Sequence, residues 1–182
     1  MVTRLHSKLE ETYMSSLDSN DLRILAELSA NARASFVEIG KKLNLHPNVV
    51  AYRVNKLRQL GIIKGYIVDL DFEKLGLPEQ VYVAGSIGNR SDRDRVLKQI
   101  ATIPQAVRVT SFLGAPETLV FFICKNKSDV EMVISKMKEL DIEIEYTASV
   151  IKSYEHGQMP EFLRILAHEV DERRSTMAWR DT

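Results

Sequence analysis

The most constraining feature of the sequence is a pair of short helical patterns joined by a tight turn, within residues 35–60. In the first pattern Ser35 stands three residues before Glu38, which is the spacing of a capping box at the start of a helix. Pro47 can occupy the first position of the second helix, and Gly61 is a normal residue to end it. Two short helices joined in this way, the second of them more basic, predict a helix-turn-helix.

Charge is distributed unevenly along a chain that is neutral overall. The 25 Lys and Arg residues balance 25 Asp and Glu residues, which by itself argues against a nucleic-acid partner. Between Arg33 and Gly65, however, seven basic residues accompany one acidic residue, Glu38, so this segment carries +6. From Lys127 to the end, 8 basic residues accompany 12 acidic ones. The basic segment predicts a surface that binds a polyanion, and an ordinary solvated helix surface is the alternative.

The second helix of the motif has two different faces. Val50, Val54 and Leu57 recur at helical spacing and predict its buried side. On the opposite side, asparagine and glutamine are suited to bind adenine with two hydrogen bonds, and tyrosine can reach a phosphate or stack. Because the N-terminal part of such a helix usually meets the bases, Asn48 and Tyr52 have the greatest weight. This polar face consists of Asn48, Tyr52, Asn55, Lys56 and Gln59.

Further candidate contacts flank this helix. Arg53 lies at its edge, where it could meet a phosphate or pair internally, and His46 lies in the turn. Arg33 and Ser35 precede the first helix of the motif, whose exposed N–H groups could hold a phosphate. The predicted DNA-binding residues are therefore Arg33, Ser35, His46, Asn48, Tyr52, Arg53, Asn55 and Lys56.

The remaining patterns predict an α+β protein. Residues 61–71 contain two glycines and side chains that alternate in the pattern of a strand, which predicts a β-hairpin wing followed by a strand. The second half follows the order β-α-β-β-α-β of a ferredoxin-like domain. The predicted divisions are an N-terminal extension at 1–16, a winged helix-turn-helix domain at 17–65, a strand and linker at 66–78, a ferredoxin-like domain at 79–156 and a C-terminal helical extension at 157–182.

The sequence offers little for catalysis or metal binding. The four histidines have no metal-site spacing, and Cys124, the one cysteine, is most simply a small core residue. A Gly-rich phosphate loop, a G-x-S-x-G elbow and an H-E-x-x-H motif are all absent from the sequence. We therefore expect no catalytic residue, no metal and no cofactor. No apolar run reaches the ~20 residues of a membrane span, and the N-terminus lacks a secretory apolar stretch, so we expect a cytoplasmic protein without a membrane partner.

Four motifs of the first half belong together. They are Leu17-Asp18-x-x-Asp21-x-x-Ile24-Leu25, Asn31-Ala32-Arg33-x-Ser35, Glu38 to Pro47 with Val50, and Arg53-Val54-x-Lys56-Leu57 followed by Gly61-Ile62-Ile63-x-Gly65-Tyr66. With these motifs the first half resembles the Lrp/AsnC (feast/famine) family of transcription regulators. The second half resembles the ligand-sensing domain of that family, often called RAM, mainly in its architecture. The resemblance covers residues 17–155.

This resemblance implies a sequence-specific regulator that binds double-stranded DNA as a homodimer, which can assemble further into tetramers or octamers. It also implies that an amino acid or related metabolite binds to the RAM domain. The family turn Gly-x-x-Asp corresponds here to Gly114 to Glu117, so glutamate replaces the usual aspartate. Thr147 and Ser149 match polar positions on the last strand. His46 stands where the family usually has a capping serine.

Three alternatives remain open at this point. The chain could be an architectural DNA-binding protein that responds to no effector, or an interaction module whose C-terminal helix holds a partner. The resemblance also extends to sirohaem decarboxylases, which share the helix-turn-helix but use histidines of the RAM domain. Residues 78–155 contain no histidine, so this enzymatic alternative is disfavoured.

Overall fold

A computed structural model of the 182-residue chain describes residues 17–88, 92–152 and 157–178. The predicted extension at 1–16 lies outside the described residues. The described chain divides into two compact units, the first formed by 17–67 together with 157–178 and the second by residues 68–152. In chain order the elements are α1 (Ser19–Ala30), α2 (Phe36–Leu43), α3 (Pro47–Gln59), β1 (Glu79–Ile87), α4 (Arg93–Ile100), β2 (Ala106–Ser111), β3 (Thr118–Cys124), α5 (Lys127–Glu139), β4 (Ile142–Ser149) and α6 (Met159–Ala178).

The first unit contains the predicted helix-turn-helix. The side chain of Asp18 accepts a hydrogen bond from the N–H of Asp21, and the side chain of Asp21 accepts one from the N–H of Asp18. These two hydrogen bonds form a capping box at the start of α1. Ser35 and Glu38 form the predicted capping box of α2. The three helices enclose a small apolar core, whose buried members are Ile24, Leu28, Ile39, Val50 and Val54.

The predicted β-hairpin wing at 61–71 is not formed by this chain. Residues 63–71 have no regular secondary structure, because a strand needs a neighbouring backbone to pair with and no described residue forms a ladder with them. The N–H groups of Ile62 and Ile63 instead donate to the carbonyl of Leu57, which caps the end of α3. Ile67 is 91% exposed.

The second unit is the predicted ferredoxin-like domain. Its four strands form one antiparallel sheet in the order β2-β3-β1-β4. Helices α4 and α5 pack on this sheet, and the core between them includes Val83, Phe122 and Met137. Cys124 is buried in the same core, as predicted, and burial raises the pKa of its thiol.

Helix α6 belongs to the first unit. The sequence predicts a separate extension at 157–182, whereas in the structure α6 packs along α1. The residues that form hydrogen bonds between these two helices lie more than 130 positions apart in the chain. Helical periodicity predicts the helix itself but carries no information on its packing partner. Among the helices of the described residues, none is both long and apolar enough to cross a membrane.

Candidate nucleic-acid interface

Helix α3 presents a polar face to solvent because its apolar stripe is buried on the opposite side. Val50, Val54 and Leu57 are at most 2% exposed. On the other side Tyr52 is 70% exposed, and Asn48, Asn55 and Gln59 are exposed as well, with Lys56 half-buried. The polar face predicted from helical spacing is therefore accessible to a partner.

His46 has a local structural role in presenting this helix. Its Nδ1 accepts a hydrogen bond of 3.2 Å from the backbone N–H of Asn48, so the imidazole caps the N-terminus of α3. The resemblance described above implies a capping serine at this position, and both side chains can supply an acceptor to a first-turn N–H. His46 remains exposed, next to the proposed base-reading residue Asn48.

The start of α2 is a less favourable phosphate site than predicted. The N–H of Ser35 donates to the Glu38 carboxylate at 2.7 Å, and the N–H of Glu38 donates to the Ser35 hydroxyl at 3.2 Å. The hydrogen bonds from the Ser35 backbone and side chain lower the pKa of Glu38, which keeps this carboxylate charged. A phosphate at this position would meet a negative charge and would have to use the remaining N–H groups of the first turn.

Arg53 is drawn inward and pairs with two carboxylates at the start of α1. Its Nη1 lies 2.7 Å from Asp18 Oδ2 and 2.7 Å from Asp21 Oδ1, at the capping box of α1. Burial opposes the charge, but the hydrogen bonds to Asp18 and Asp21 outweigh it and raise the pKa of Arg53. The structure thus favours internal pairing, which was the other role open to this residue.

Internal pairing also reduces the basic surface. Of the seven cations between Arg33 and Gly65, Arg53 is paired with α1, and so is Lys42, whose Nζ lies 2.6 Å from Glu27. The five others have no carboxylate within 4.0 Å among the described residues, and they are Arg33, Lys41, Lys56, Arg58 and Lys64. These five remain available to attract a polyanion.

The residues that hold Arg53 and Lys42 in place were not identified from the sequence as functional. Asp21 is 1% exposed and Glu27 8% exposed, although both are carboxylates. A buried charge requires a partner, but a sequence does not reveal which carboxylates become buried. The signal that could have identified Asp21 is the Asp18-x-x-Asp21 spacing, which places two acidic side chains at one helix start.

The four predicted effector residues do not converge in the single chain. The Glu117 carboxylate accepts a hydrogen bond of 2.9 Å from the Ile87 N–H, and its Oε1 lies 3.6 Å from Nη1 of Arg93. Thr147 lies opposite Val83 on β1, which is four residues, or about 13 Å, from Ile87. Ser149 lies two residues further along β4.

Gly114 lies at the hairpin tip between β2 and β3, with a φ of +128° that favours glycine. It lines an apolar cavity of about 300 Å³ together with Leu113, Pro116 and Tyr146. This cavity does not include Glu117, Thr147 or Ser149. Among the described residues, no group of three or more His, Cys, Asp or Glu side chains could hold a metal ion.

Comparisons with known proteins agree with the geometry of the first unit. Residues 17–64 match the family model for winged helix-turn-helix DNA-binding domains. LrpC, an HTH-type transcriptional regulator of Bacillus subtilis, is 35% identical over 120 residues, which cover 66% of this chain and 83% of LrpC. The HTH-type transcriptional regulator Rv2324 of Mycobacterium tuberculosis is 30% identical over 125 residues, which cover 69% of this chain and 84% of the relative.

Solved structures show the same architecture. The structure of B. subtilis LrpC is similar with a TM-score of 0.70 and 30% identity, covering 78% of this chain and 99% of LrpC. The structure of Escherichia coli AsnC is similar in fold, with a TM-score of 0.66 and 23% identity over 75% of this chain and 93% of AsnC. This chain, with its exposed α3 and its ferredoxin-like second unit, belongs to the Lrp/AsnC family of DNA-binding transcriptional regulators.

Proposed function

We propose that this protein regulates transcription by sequence-specific binding of duplex DNA through α3. The exposed polar face of that helix carries the proposal, because Asn48, Tyr52 and Asn55 can read base edges in the major groove. The unpaired cations around it supply salt-dependent affinity for phosphates. The full proposed contact set is Arg33, Ser35, His46, Asn48, Tyr52, Arg53, Asn55 and Lys56, of which Arg53 also pairs with Asp18 and Asp21 of α1.

Tyr52→Ala is expected to weaken binding to a preferred duplex about tenfold, while binding to random DNA changes little. The reason is that a lost base contact removes roughly 1–3 kcal/mol of discrimination, whereas the phosphate contacts that attract any sequence remain. Fluorescence anisotropy with a duplex selected from randomised DNA on the wild-type protein, and with its scrambled counterpart, measures both affinities.

Gln59→Ala is the matched control for this experiment. Gln59 is exposed on the same helix but lies near its C-terminal end, away from the residues that usually meet bases. Its removal is expected to change both affinities less than twofold, on the order of a surface substitution. Equal losses on the selected and the scrambled duplex in Tyr52→Ala would show that Tyr52 does not read sequence.

We further propose that the open face of the sheet in the second unit forms a homodimer interface, from which tetramers or octamers can be built. Tyr82 and Phe121 stack with ring centroids 4.7 Å apart, and Tyr146 is 49% exposed. These aromatic residues lie on the side away from the helices, because Tyr82 alternates with the core residues Val81 and Val83. A dimer would present two copies of α3 to half-sites about one helical turn of DNA apart, or a multiple of it.

Modulation by an amino acid or related metabolite is the part of the proposal that rests most on relatives. NMB0573 of Neisseria meningitidis, whose solved structure is a complex with L-Met, is similar in fold with a TM-score of 0.70 and 22% identity. In this chain Glu117 is one-third exposed and remains able to meet an α-ammonium group, with Gly114, Thr147 and Ser149 as further candidate contacts.

Glu117→Gln is expected to abolish most of any change in DNA affinity that an amino acid causes. An effector typically changes affinity about 5- to 150-fold, and we expect less than about twofold in the variant because the charge that meets the ammonium group is lost. Glutamine can still accept the Ile87 N–H, so the unit is expected to stay folded. DNA affinity with and without each standard amino acid measures the effect, and Glu131→Gln on the exposed side of α5 is the control. An unchanged response in Glu117→Gln would remove Glu117 from the site.

A regulator without an effector, acting as an architectural DNA-binding protein, is the second candidate. The separation of Glu117 from Thr147 along β1 favours it. The same amino-acid screen distinguishes the two candidates, since this one expects no response in the wild-type protein. In either case we propose a non-enzymatic, cytoplasmic protein, because its curated relatives are named as transcriptional regulators.

A further inference from the structure

Helix α1 of the DNA-binding unit is buried on two sides. One side carries Ile24 and Leu28 into the core shared with α2 and α3. The other side carries Ser19, Leu22 and Ala26, which are at most 6% exposed and lie about half a turn away around the helix. Among the described elements, α1 packs against α2, α3 and α6, so we assign α6 to this second side.

The contact between α1 and α6 is close. Ala167 of α6 is fully buried, as is Ala26 of α1, and such small side chains allow two helices to approach closely. At the edges of this contact, Arg23 Nη2 lies 2.6 Å from Asp171 Oδ2 and Arg164 Nη2 lies 3.2 Å from Glu27 Oε1. The packing is therefore specified by shape in the centre and by charge at its edges.

Glu27 connects α6 to the helix-turn-helix directly. Its side chain is 10% exposed and binds Lys42 of α2 at 2.6 Å as well as Arg164 of α6. The hydrogen bond from Lys42 lowers the pKa of Glu27 most, burial opposes this effect, and Arg164 adds to it. The Glu27 carboxylate of α1 thus pairs with Lys42 of α2 and with Arg164 of α6.

Helix α1 also binds α3, which is called the recognition helix from here on. Asp18 and Asp21 at its N-terminus bind Arg53 of α3, at 2.7 Å in each case. This ion pair and the shared core connect α1 to α3. Helix α6 thus contacts α1, and α1 in turn contacts α3.

We propose that α6 is a positioning element of the DNA-reading surface. It holds α1, and through α1 the recognition helix, in the orientation that sequence-specific binding requires, without itself contacting DNA. The proposal rests on the proposed role of α3 in DNA binding. Such a positioning element affects sequence-specific binding more than non-specific binding, because base contacts depend on helix position far more than phosphate contacts do.

Ala167→Glu tests the proposal by placing a charge at a fully buried position of α6. We expect sequence-specific affinity to fall about tenfold, within the usual range of coupling between sites, while affinity for scrambled DNA falls less than about twofold. Hydrogen exchange of the α6 and α3 amides is expected to speed up in the same variant, and this measurement requires no DNA. Glu169→Ala, in an exposed pair with Arg173 on α6, is the control and is expected to leave both affinities and exchange unchanged.

Charge exchange supplies a rescue test that a general loss of folding would not pass. Arg23→Asp and Asp171→Arg each place like charges together and are expected to weaken specific binding about two- to fivefold, as suits a half-exposed pair. The double variant restores opposite charges and is expected to return close to wild-type affinity. The full-length chain is used throughout.

The outcomes separate this proposal from the proposed function. Faster exchange in α6 with unchanged exchange in α3 and unchanged specific affinity would overturn the positioning role. Equal losses on selected and scrambled DNA, with a lowered melting temperature and no rescue by the double variant, would overturn it as well. A wild-type protein that prefers no duplex would instead contradict the proposed function, and the exchange of α3 would still decide whether α6 positions it.

Discussion

Replacing Arg53 by alanine is expected to destabilise the DNA-binding unit by about 3 kcal/mol. The substitution leaves the carboxylate of Asp21, whose side chain is 2% exposed, without the guanidinium that it pairs with. Breaking a buried ion pair from one side costs about 3–5 kcal/mol, and the lower end applies because Asp18 and Arg53 are each about one-quarter exposed. Denaturant unfolding followed by circular dichroism measures the loss.

Arg58→Ala is the matched control, since Arg58 is an exposed arginine on the same helix. It removes the same charge and the same side chain but no ion pair among the described residues, so a change within about 0.5 kcal/mol is expected. If Arg53→Ala lowered the free energy of unfolding no more than Arg58→Ala does, the ion pairs between Arg53 and the cap of α1 would contribute nothing to stability.

Gly40→Val is expected to destabilise the same unit by about 2–3 kcal/mol. A Cβ at position 40 would lie 2.5 Å from the backbone carbonyl oxygen of Leu45, in the turn that joins α2 to α3. Replacing a helical glycine normally gains up to about 1 kcal/mol of helix propensity, but separating two backbone segments costs more than that gain. Because the displaced segment leads directly into α3, specific DNA affinity is expected to fall together with stability.

Lys41→Val separates the steric effect from helix propensity. Lys41 is exposed on the same helix, and valine there costs only about 0.5 kcal/mol relative to a good helix former. Thermal melting of the two variants gives the comparison. A Gly40→Val protein as stable as Lys41→Val would mean that the turn moves freely, and that the close approach of α2 and the turn is not required.

The features of the DNA-binding unit that were predicted correctly depend on residues close together in the chain. The Ser35–Glu38 capping box, the proline at the start of α3 and the buried stripe of Val50, Val54 and Leu57 each involve spacings of a few residues. Such spacings determine helix ends and faces through local hydrogen bonds and periodicity. The accessible polar face of α3 follows from them directly.

Contacts over long sequence separations could not be predicted in the same way. Arg53 pairs with Asp18 across 35 positions, and Arg23 pairs with Asp171 across 148 positions. The composition of a basic segment is the same whether its side chains face DNA or a buried carboxylate. For this reason the sequence overestimated the free basic surface and missed the packing of α6 on α1.

The β-hairpin predicted at 61–71 was wrong for a related physical reason. Alternation at 61–71 is a property of the side chains, whereas a strand also needs a backbone partner at hydrogen-bonding distance. Ile62 and Ile63 use their N–H groups to cap α3 instead. In the predicted β-α-β-β-α-β order, the consecutive strands β2 and β3 do pair with each other, because they lie near each other in the chain.

Fluorescence anisotropy of the wild-type protein, with duplex DNA from upstream of its own gene and a scrambled duplex at two salt concentrations, is the most direct measurement of sequence-specific DNA binding. Base contacts from α3 predict a preference for the upstream duplex that survives the higher salt, while binding to the scrambled duplex weakens as its phosphate contacts are screened. Absence of binding at the lower salt would contradict the account, because the accessible polar face of α3 and its unpaired cations would then have no nucleic-acid partner.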